Sequence, residues 1–234
     1  LKDENGNPVD DIGNNWFIGQ PIRVWYDYEK IGIYQADEEA LANSQEQKVP
    51  GEIRLNDLDG DGLITPDDRK ILGTDTPDFY GGFNNKFSYK GLELGVFFYF
   101  RQGQTIRSDF HASNNSLFAR YNNLDVDYWT IDNPTNANPR PNENQESPRN
   151  GSTLRYFDSS FIKLRNVSLG YNLPNSITEK LGMQELKLTL SGQNLLIITD
   201  YETFDPEVSE DAVSAGSGIV PSNKMYSLSL SAKF

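Results

Sequence analysis

The sequence predicts an all-β protein whose strands belong to an antiparallel transmembrane β-barrel with long extracellular loops. Five segments alternate apolar and polar residues with a period of two, and short and long connections alternate between them. The segments are about 9 to 11 residues long, the length that crosses a bilayer at a tilt. Tight turns at one end and long loops at the other are typical of outer-membrane barrels. A soluble antiparallel sandwich also has alternating strands and stays open as the alternative.

Each of the five segments places apolar side chains on one face and small or polar side chains on the other. In the last segment, MYSLSLSAKF, the alternation continues to the final residue. In the second segment, LELGVFFYF, Phe97 is an exception, because it is an apolar residue on the polar face. Ser, Asn, Gly, Gln and Lys dominate the polar faces, which suits a water-filled or plugged lumen. The apolar positions are Phe83, Phe87 and Tyr89; Leu92, Leu94, Val96, Phe98 and Phe100; Val167, Leu169, Tyr171 and Leu173; Leu186, Leu188 and Leu190; and Tyr226, Leu228, Leu230, Ala232 and Phe234.

Two of the connections are short. Lys90 and Gly91 join the first two segments, and glycine supplies the positive φ that a tight hairpin turn needs. Residues 174–183, PNSITEKLGM, join the third and fourth segments and have room for a helical turn that pairs Ile177 with Leu181. The sequence therefore divides into a long loop region at 1–79 and a strand region at 80–234, the latter interrupted by long loops at 107–158 and 200–223.

Charge and composition narrow the classes of function. The formal net charge of -13 would repel phosphates, so no nucleic-acid partner is expected. The chain has no cysteine, which excludes disulfides, thiolate metal sites and thiol nucleophiles. Its first residues, LKDENGNPVDD, lack an initiator Met and the basic and apolar regions of a signal peptide. We therefore expect the chain to be the C-terminal part of a longer protein.

An acidic loop, DLDGDGLITPDD at residues 57–68, fits the calcium-binding pattern D-x-[DN]-x-[DN]-G with a carboxylate at the twelfth position. Hard oxygen ligands on a flexible loop favour calcium over magnesium and zinc. The preceding VPGEIRLN is β-like, so a structural ion is expected rather than a helix-based switch. A solvated acidic turn without an ion is the alternative. The predicted ligands are Asp57, Asp59, Asp61, the Leu63 carbonyl, Thr65 and Asp68.

The sequence contains no recognisable catalytic motif. The one histidine, His111, lies in SDFHASNNS, and no motif places a nucleophile beside it. With 34 carboxylates, a chance pair of acids carries no information about glycoside hydrolysis. Walker, dinucleotide-binding and zinc-protease motifs are absent. The sequence therefore predicts a protein that is not an enzyme, in which His111 has a loop or ligand-contact role.

Aromatic residues in the long loops offer flat faces suited to sugar rings. For most of them, loop packing, partner docking or interfacial anchoring is the expected role. The Pro- and Asn-rich segment DNPTNANPRPNENQESPRNG, residues 132–151, is predicted to be irregular. The candidate ligand contacts are Trp16, Trp25, Tyr26, Tyr28, Tyr34, Tyr121, Tyr128 and Trp129.

Several longer stretches resemble one known family. PGEIRLNDLDGDGLITPDDRKILGTDTPDFYGGFNNKFSYKGLELGVFF, FIKLRNVSLGYNLP, LTLSGQNLLIITDYETFDPEV and the final Phe234 resemble the C-terminal end of SusC-like TonB-dependent transporters. The resemblance implies a plugged barrel of about 22 strands in the outer membrane of a Gram-negative bacterium. This chain would supply the last five strands. The plug domain and the N-terminal part of the barrel would lie outside it.

The resemblance also implies a function and partners. Family members import oligosaccharides, other glycans or sometimes peptides, with energy from TonB, which the missing N-terminal part would contact. A SusD-like lipoprotein usually caps the extracellular mouth. Tyr226 and Phe234 match the family's barrel-insertion signal, and contact with outer-membrane lipid is their ordinary role. Counting strands back from Phe234 puts the short turns in the periplasm and the calcium loop outside the cell. The alternative is a soluble, secreted, calcium-stiffened β-sandwich binding module.

Overall fold

The computed structural model describes residues 1–108, 111, 125–142, 148–201, 205–207 and 222–234. The chain forms two compact units: unit 1 is Leu1–Thr76 with Thr105–Phe157, and unit 2 is Pro77–Gln104 with Asp158–Phe234. None of the helices in the described ranges has the length and hydropathy to span a membrane. The strands that lie within these residues are β1 (Val24–Tyr28), β2 (Lys30–Ile33), β3 (Ile53–Leu55), β4 (Arg69–Thr74), β5 (Phe79–Tyr89), β6 (Leu92–Gln102), β7 (Thr105–Arg107), β8 (Tyr156–Asp158), β9 (Phe161–Asn172), β10 (Glu185–Thr199) and β11 (Met225–Lys233). The α-helices that lie entirely within them are α1 (Glu39–Glu46) and α2 (Asn175–Thr178).

Unit 2 contains one antiparallel sheet in the order β11-β10-β9-β6-β5. Its strands are the five predicted from the alternating segments, and they pair in the order in which they occur in the chain. The long connections follow β6 and β10, and the short ones follow β5 and β9. The predicted alternation of short and long connections is therefore confirmed.

The register of the sheet gathers the apolar side chains on one face. Directly opposed residues on antiparallel strands point to the same side, and one such row runs through Phe87, Leu94, Leu169, Leu190 and Leu228. The side chains of this row are exposed, from 37% for Leu94 to 70% for Leu228. In a β-sandwich the corresponding row would be buried against a second sheet. The exposure of the whole row disfavours the sandwich alternative.

The two short connections have the predicted geometry. Lys90 and Gly91 have φ values of 47° and 84°, as a two-residue type I′ turn requires. In the second connection, α2 is followed by a 3-10 helix at Glu179–Leu181, which confirms the predicted helical turn. Ile177 and Leu181 are both exposed in this turn. Both connections leave the same end of the sheet, because β5 and β9 are each antiparallel to β6 and therefore run in the same direction.

A β-bulge at Arg165 extends the sheet beyond the predicted strands. Asn166 and Leu164 pair with the consecutive residues Phe97 and Phe98 of β6, so Arg165 is an extra residue in β9. The extra residue changes the phase of the alternation. It keeps Leu164 on the apolar face together with Val167, although the two residues are three positions apart and would lie on opposite faces of a regular strand.

Unit 1 contains small paired strands around a compact core. β1 pairs with β4, β2 pairs with β3, and β7 pairs with β8. The core consists of Ile33, Ile53, Leu55 and Trp129. The sequence prediction treated residues 1–79 as a loop region and 107–158 as a separate loop. The structure instead builds four strands and α1 from the first segment and groups both segments in one unit.

Candidate functional site

The acidic loop is held between two strands of unit 1. β3 ends at Leu55, and β4 begins at Arg69, directly after a 3-10 helix at Pro66–Asp68. Gly62 has a φ of 84°, so the chain turns here with a backbone conformation that other residues rarely adopt. The loop is therefore entered from a strand and left through a short 3-10 helix into another strand. The predicted absence of an entering helix is confirmed.

The first three predicted ligands converge. One carboxylate oxygen from each of Asp57, Asp59 and Asp61 lies within 4.8 Å of the other two. Backbone N–H groups orient these carboxylates: Gly60 and Gly62 donate to Asp57 at 2.8 and 3.0 Å. The N–H groups of Asp61 and Leu63 donate to Asp59 and Asp61 at 3.0 and 2.8 Å. Three negative groups are thereby held close together at a partly exposed position.

Asp68, the predicted twelfth-position ligand, closes the end of the loop through hydrogen bonds to the backbone. Its side chain is fully buried, and its two oxygens accept the backbone N–H groups of Leu58 and Thr65, each at 2.7 Å. Burial alone would raise the pKa of Asp68, but the N–H groups of Thr65, Leu58 and Asp59 hold it below the usual value. Thr65 Oγ1 accepts the N–H of Asp67 at 3.2 Å. Asp68 and Thr65 thus cap the backbone at the end of the loop.

Two of the aromatic candidates lie in the core of unit 1. Tyr34 is fully buried and donates from its hydroxyl to Gln45 Oε1 at 2.9 Å. Burial raises the pKa of Tyr34 to about 12. Trp129 Nε1 donates to Gln35 Oε1 at 2.9 Å, and its ring packs against the core. The burial of these two rings counts against a role in ligand contact, because no ring face is free for a ligand.

The other aromatic candidates among the described residues are more accessible. Trp16 and Tyr128 are 55% and 40% exposed. Tyr121 lies outside the described residues. The remaining three are half-buried and in contact with neighbours. Trp25 Nε1 donates to Thr105 O at 2.8 Å, the Tyr26 ring lies tilted against that of Phe17 with centroids 4.8 Å apart, and the Tyr28 ring centroid lies 5.0 Å from the Arg69 guanidinium.

His111 is buried in unit 1. Its Nδ1 lies 2.7 Å from the Ser108 hydroxyl, and its ring centroid is 4.2 Å from that of Phe157. Ser108 is itself fully buried. A buried hydroxyl has no access to a substrate, so this contact has the character of packing.

The polar face of the unit 2 sheet combines small side chains with a few charged ones. Glu93 and Lys187 form an ion pair at 2.5 Å, and Asn172 Nδ2 donates to Glu93 at 2.8 Å. Ser191 and Ser227 are joined by a hydroxyl–hydroxyl hydrogen bond of 2.7 Å on the same face. The alternation in the sequence predicted this face as a whole. It did not predict which charged residues pair, because pairing depends on the register between strands.

Relatives of the chain are TonB-dependent receptors. No family model matches the sequence. TonB-dependent receptor P3 of Formosa agariphila is 36% identical over 231 residues, which is 92% of this chain and 22% of the relative. Receptor P26 of the same organism is 32% identical over 82% of the chain and 20% of its own length. The chain belongs to the TonB-dependent receptor family. This receptor chain spans about a fifth of the length of the relatives it matches.

Solved transporters share the fold of the receptor chain. The RagAB peptide importer in its open-open state superposes with a TM-score of 0.67 at 24% identity, over 94% of this chain and 23% of that one. Its closed-closed state gives 0.67 at 25% identity, over 94% of this chain and 24% of that one. The receptor chain is therefore all-β and has the fold of part of a TonB-dependent transporter barrel. This agrees with the fold class predicted from the alternating segments.

Proposed function

We propose that this chain forms part of the wall of an outer-membrane transporter that imports a large nutrient ligand with energy from TonB. The observation that carries the proposal is the two-faced sheet of unit 2. One face is a continuous exposed apolar surface, as lipid contact requires, and the other is lined by small and polar side chains, as an aqueous interior requires. The relatedness to TonB-dependent receptors supports the same conclusion.

The proposed ligand is an oligosaccharide or other glycan, or a peptide. The solved neighbour is a peptide importer by its description, which supports the peptide class. The exposed rings of Trp16 and Tyr128 suit sugar rings or aromatic side chains. We also propose a SusD-like lipoprotein as the extracellular partner, and TonB as a partner of a part of the receptor outside this chain. In this arrangement the outer membrane of a Gram-negative bacterium is the location.

Uptake measurements in cells test the proposed import. We expect a strain lacking the full-length receptor to lose the ability to deplete one class of solute from the medium, either tryptic casein peptides or starch-derived oligosaccharides. Complementation with the receptor should restore depletion, and complementation in a strain without TonB should not. Equal depletion of both solutes by all strains would contradict the import function.

We further propose that residues 57–68 bind a structural calcium ion. The residues fit this ion, because three carboxylates converge on a loop with the spacing of a calcium motif. Asp57, Asp59 and Asp61 would hold the ion together with the Leu63 carbonyl and, directly or through water, Thr65. Asp68 would support the site from its buried position or add an oxygen to it. The ion would offset the mutual repulsion of the three carboxylates and stiffen the loop.

Calcium titration of the full-length receptor tests this site. We expect the double variant Asp57→Asn with Asp61→Asn to lose one calcium-binding event in calorimetry, because two of the converging carboxylates lose their charge. Asp67→Asn is the matched control, since Asp67 is an exposed aspartate in the same loop outside the ligand set. An isotherm that is the same for the native receptor and the double variant would refute the calcium site.

A further inference from the structure

Lys163 of β9 is a buried cation with a complete set of acceptors. Its ammonium group donates to Asp205 Oδ2 at 2.7 Å, to Glu207 Oε2 at 3.0 Å and to Ser222 Oγ at 3.0 Å. An ammonium group has three donors, so all of them are used. The side chain is 3% exposed, and that of Asp205 is 7% exposed. This is a desolvated network rather than a surface ion pair.

The acceptors come from both ends of the connection between β10 and β11. Asp205 and Glu207 follow β10, and Ser222 lies shortly before β11. Asp205 also joins the two ends directly, because its Oδ2 accepts the backbone N–H of Ser222 at 3.3 Å. These contacts hold Asp205 strongly in its charged form: burial would raise its pKa, but Lys163 and Ser222 lower it below the usual value.

A second cation reinforces the same segment. Arg165, the bulge residue of β9, pairs with Glu207, and its guanidinium lies 4.4 Å from the ring centroid of Tyr99. Pro206, between the two acidic residues, is fully buried. The bulge therefore places an additional positive charge beside Lys163 and next to the connection. Two cations and two carboxylates give a network with no net charge.

The network lies on the polar face of the sheet. Lys163 pairs in register with Tyr99 of β6 and Ile197 of β10, whereas the neighbouring Ile162 and Leu164 are on the apolar face. Lys163 is near the start of β9, and the short turns are at the opposite end of the sheet. Residues 205–207 and 222 are thus fastened across the polar face at the end that carries the long connections.

The energetics favour a positioning role over a general stabilising one. A buried ion pair is weak evidence for stability, because desolvation of both charges offsets much of their attraction. Removing one partner, by contrast, leaves uncompensated charge and is strongly unfavourable. This network links β9, residues 205–207 and residue 222, so it fixes the position of these segments relative to one another more firmly than a single ion pair would. Its clearest effect is to hold residues 205–207 and 222 in one position relative to β9.

We propose that Lys163 and Arg165 form a clamp that holds residues 205–207 and 222 of the β10–β11 connection over the polar face and so narrows the transport path at that end. The clamp rests on contacts within unit 2. The narrowing of the transport path rests on the proposed function, in which the polar face of the sheet lines that path. Residues that obstruct this face restrict the size of the solute that passes along it.

Hydrogen exchange of the full-length receptor tests the clamp without reference to transport. In Lys163→Met we expect at least tenfold faster hydrogen exchange in peptides covering 205–207 and 222–224, because the buried Asp205 loses its counter-charge and Glu207 keeps only Arg165. Exchange in the paired part of β9 should be unchanged. The double variant Lys163→Glu with Asp205→Lys should restore slow exchange. It exchanges the charges of the Lys163–Asp205 pair, and Glu207 keeps its ion pair with Arg165. Native-like exchange in Lys163→Met would overturn the proposal.

Lys187→Met is the matched control. Lys187 is also a paired lysine on the polar face, but it lies at the other end of the sheet and its pair with Glu93 is partly exposed. We expect hydrogen exchange at residues 205–207 to be as slow in Lys187→Met as in the native receptor. An increase equal to that of Lys163→Met would show a general loss of structure and would overturn the clamp.

Access to the polar face tests the narrowing. A cysteine at Ser168, deeper on the same face, is labelled on intact cells with maleimide attached to a large polyethylene glycol. We expect several-fold faster labelling when Lys163→Met is added, and no change with Lys187→Met. Equal labelling rates would overturn the narrowing. Loss of peptide or oligosaccharide uptake is measured separately, so a failure of the import proposal is distinguishable from a failure of the clamp.

Discussion

Arginine at position 190 is expected to prevent stable assembly of the receptor in the outer membrane, whereas arginine at position 191 is expected to be tolerated. Leu190 lies in the apolar row between Leu169 and Leu228, and its side chain is exposed. A lipid-facing arginine near the middle of a bilayer costs about 2 to 4 kcal/mol. That penalty is a large fraction of the stability of a typical protein. The expected result is loss of the folded band on unheated gels of outer-membrane fractions.

The neighbouring position is the matched control because successive residues of a strand point to opposite faces. Ser191 pairs with Ser168 and Ser227 on the polar face. An arginine there stays in contact with water, and the folded band should persist at a level close to that of the native receptor. Equal loss at both positions would indicate crowding or misfolding rather than lipid contact. Normal assembly of Leu190→Arg would contradict lipid contact by this face.

Removal of the Trp129 side chain is expected to unfold unit 1 locally. Trp129 is buried against Ile33, Ile53 and Leu55. Its deletion removes a large apolar surface and leaves Gln35 Oε1 without the indole N–H. Trp→Ala substitutions in cores cost about 3 to 5 kcal/mol. We expect strongly increased hydrogen exchange in β2 and β3 of the full-length receptor carrying Trp129→Ala.

The adjacent Tyr128 provides the comparison. Tyr128 is 40% exposed and was predicted, like Trp129, to be a candidate ligand contact. Its replacement by alanine should change stability by no more than about 0.5 kcal/mol, as is usual for surface positions. Similar exchange in the two variants would contradict the placement of Trp129 in the core. A change in ligand uptake confined to Tyr128→Ala would support ligand contact by the exposed ring.

The sheet of unit 2 was predictable because its signal is local. A period of two reports which face each side chain occupies, and the turn at Lys90 and Gly91 is set by two adjacent residues. The five strands and their two short connections followed from these features. The part of β9 that precedes Val167 was not predicted, because the bulge at Arg165 shifts the phase of the alternation. The period-two alternation is interrupted at a bulge, so a strand predicted from this alternation ends there.

Unit 1 was largely missed because its contacts are long-range. β1 pairs with β4 across more than forty residues, and Trp129 joins a core built from β2 and β3. Strands of three to five residues are too short to show a clear period. The sequence pattern assigns aromatic residues in such short strands to loops. Tyr34 was therefore predicted to be a candidate ligand contact. Only the fold reveals that it is buried.

The acidic loop was predictable in part. The spacing of Asp57, Asp59 and Asp61 brought their carboxylates together as expected, because the intervening glycines let the backbone turn around them. The role of Asp68 was not visible in the motif. Its hydrogen bonds to Leu58 and Thr65 depend on the closure of the loop between β3 and β4. The clamp at Lys163 was missed for the same reason, since its partners lie about forty or more residues away in the sequence.

Fluorescence quenching by lipid most directly tests the claim that the apolar face of the unit 2 sheet meets hydrocarbon. A bimane probe is attached to a cysteine at position 190 or 191 of the full-length receptor, made free of other reactive cysteines, in liposomes with nitroxide-labelled acyl chains. We predict strong quenching at 190 and little at 191. Weak quenching at 190, or equal quenching at both positions, would contradict the account.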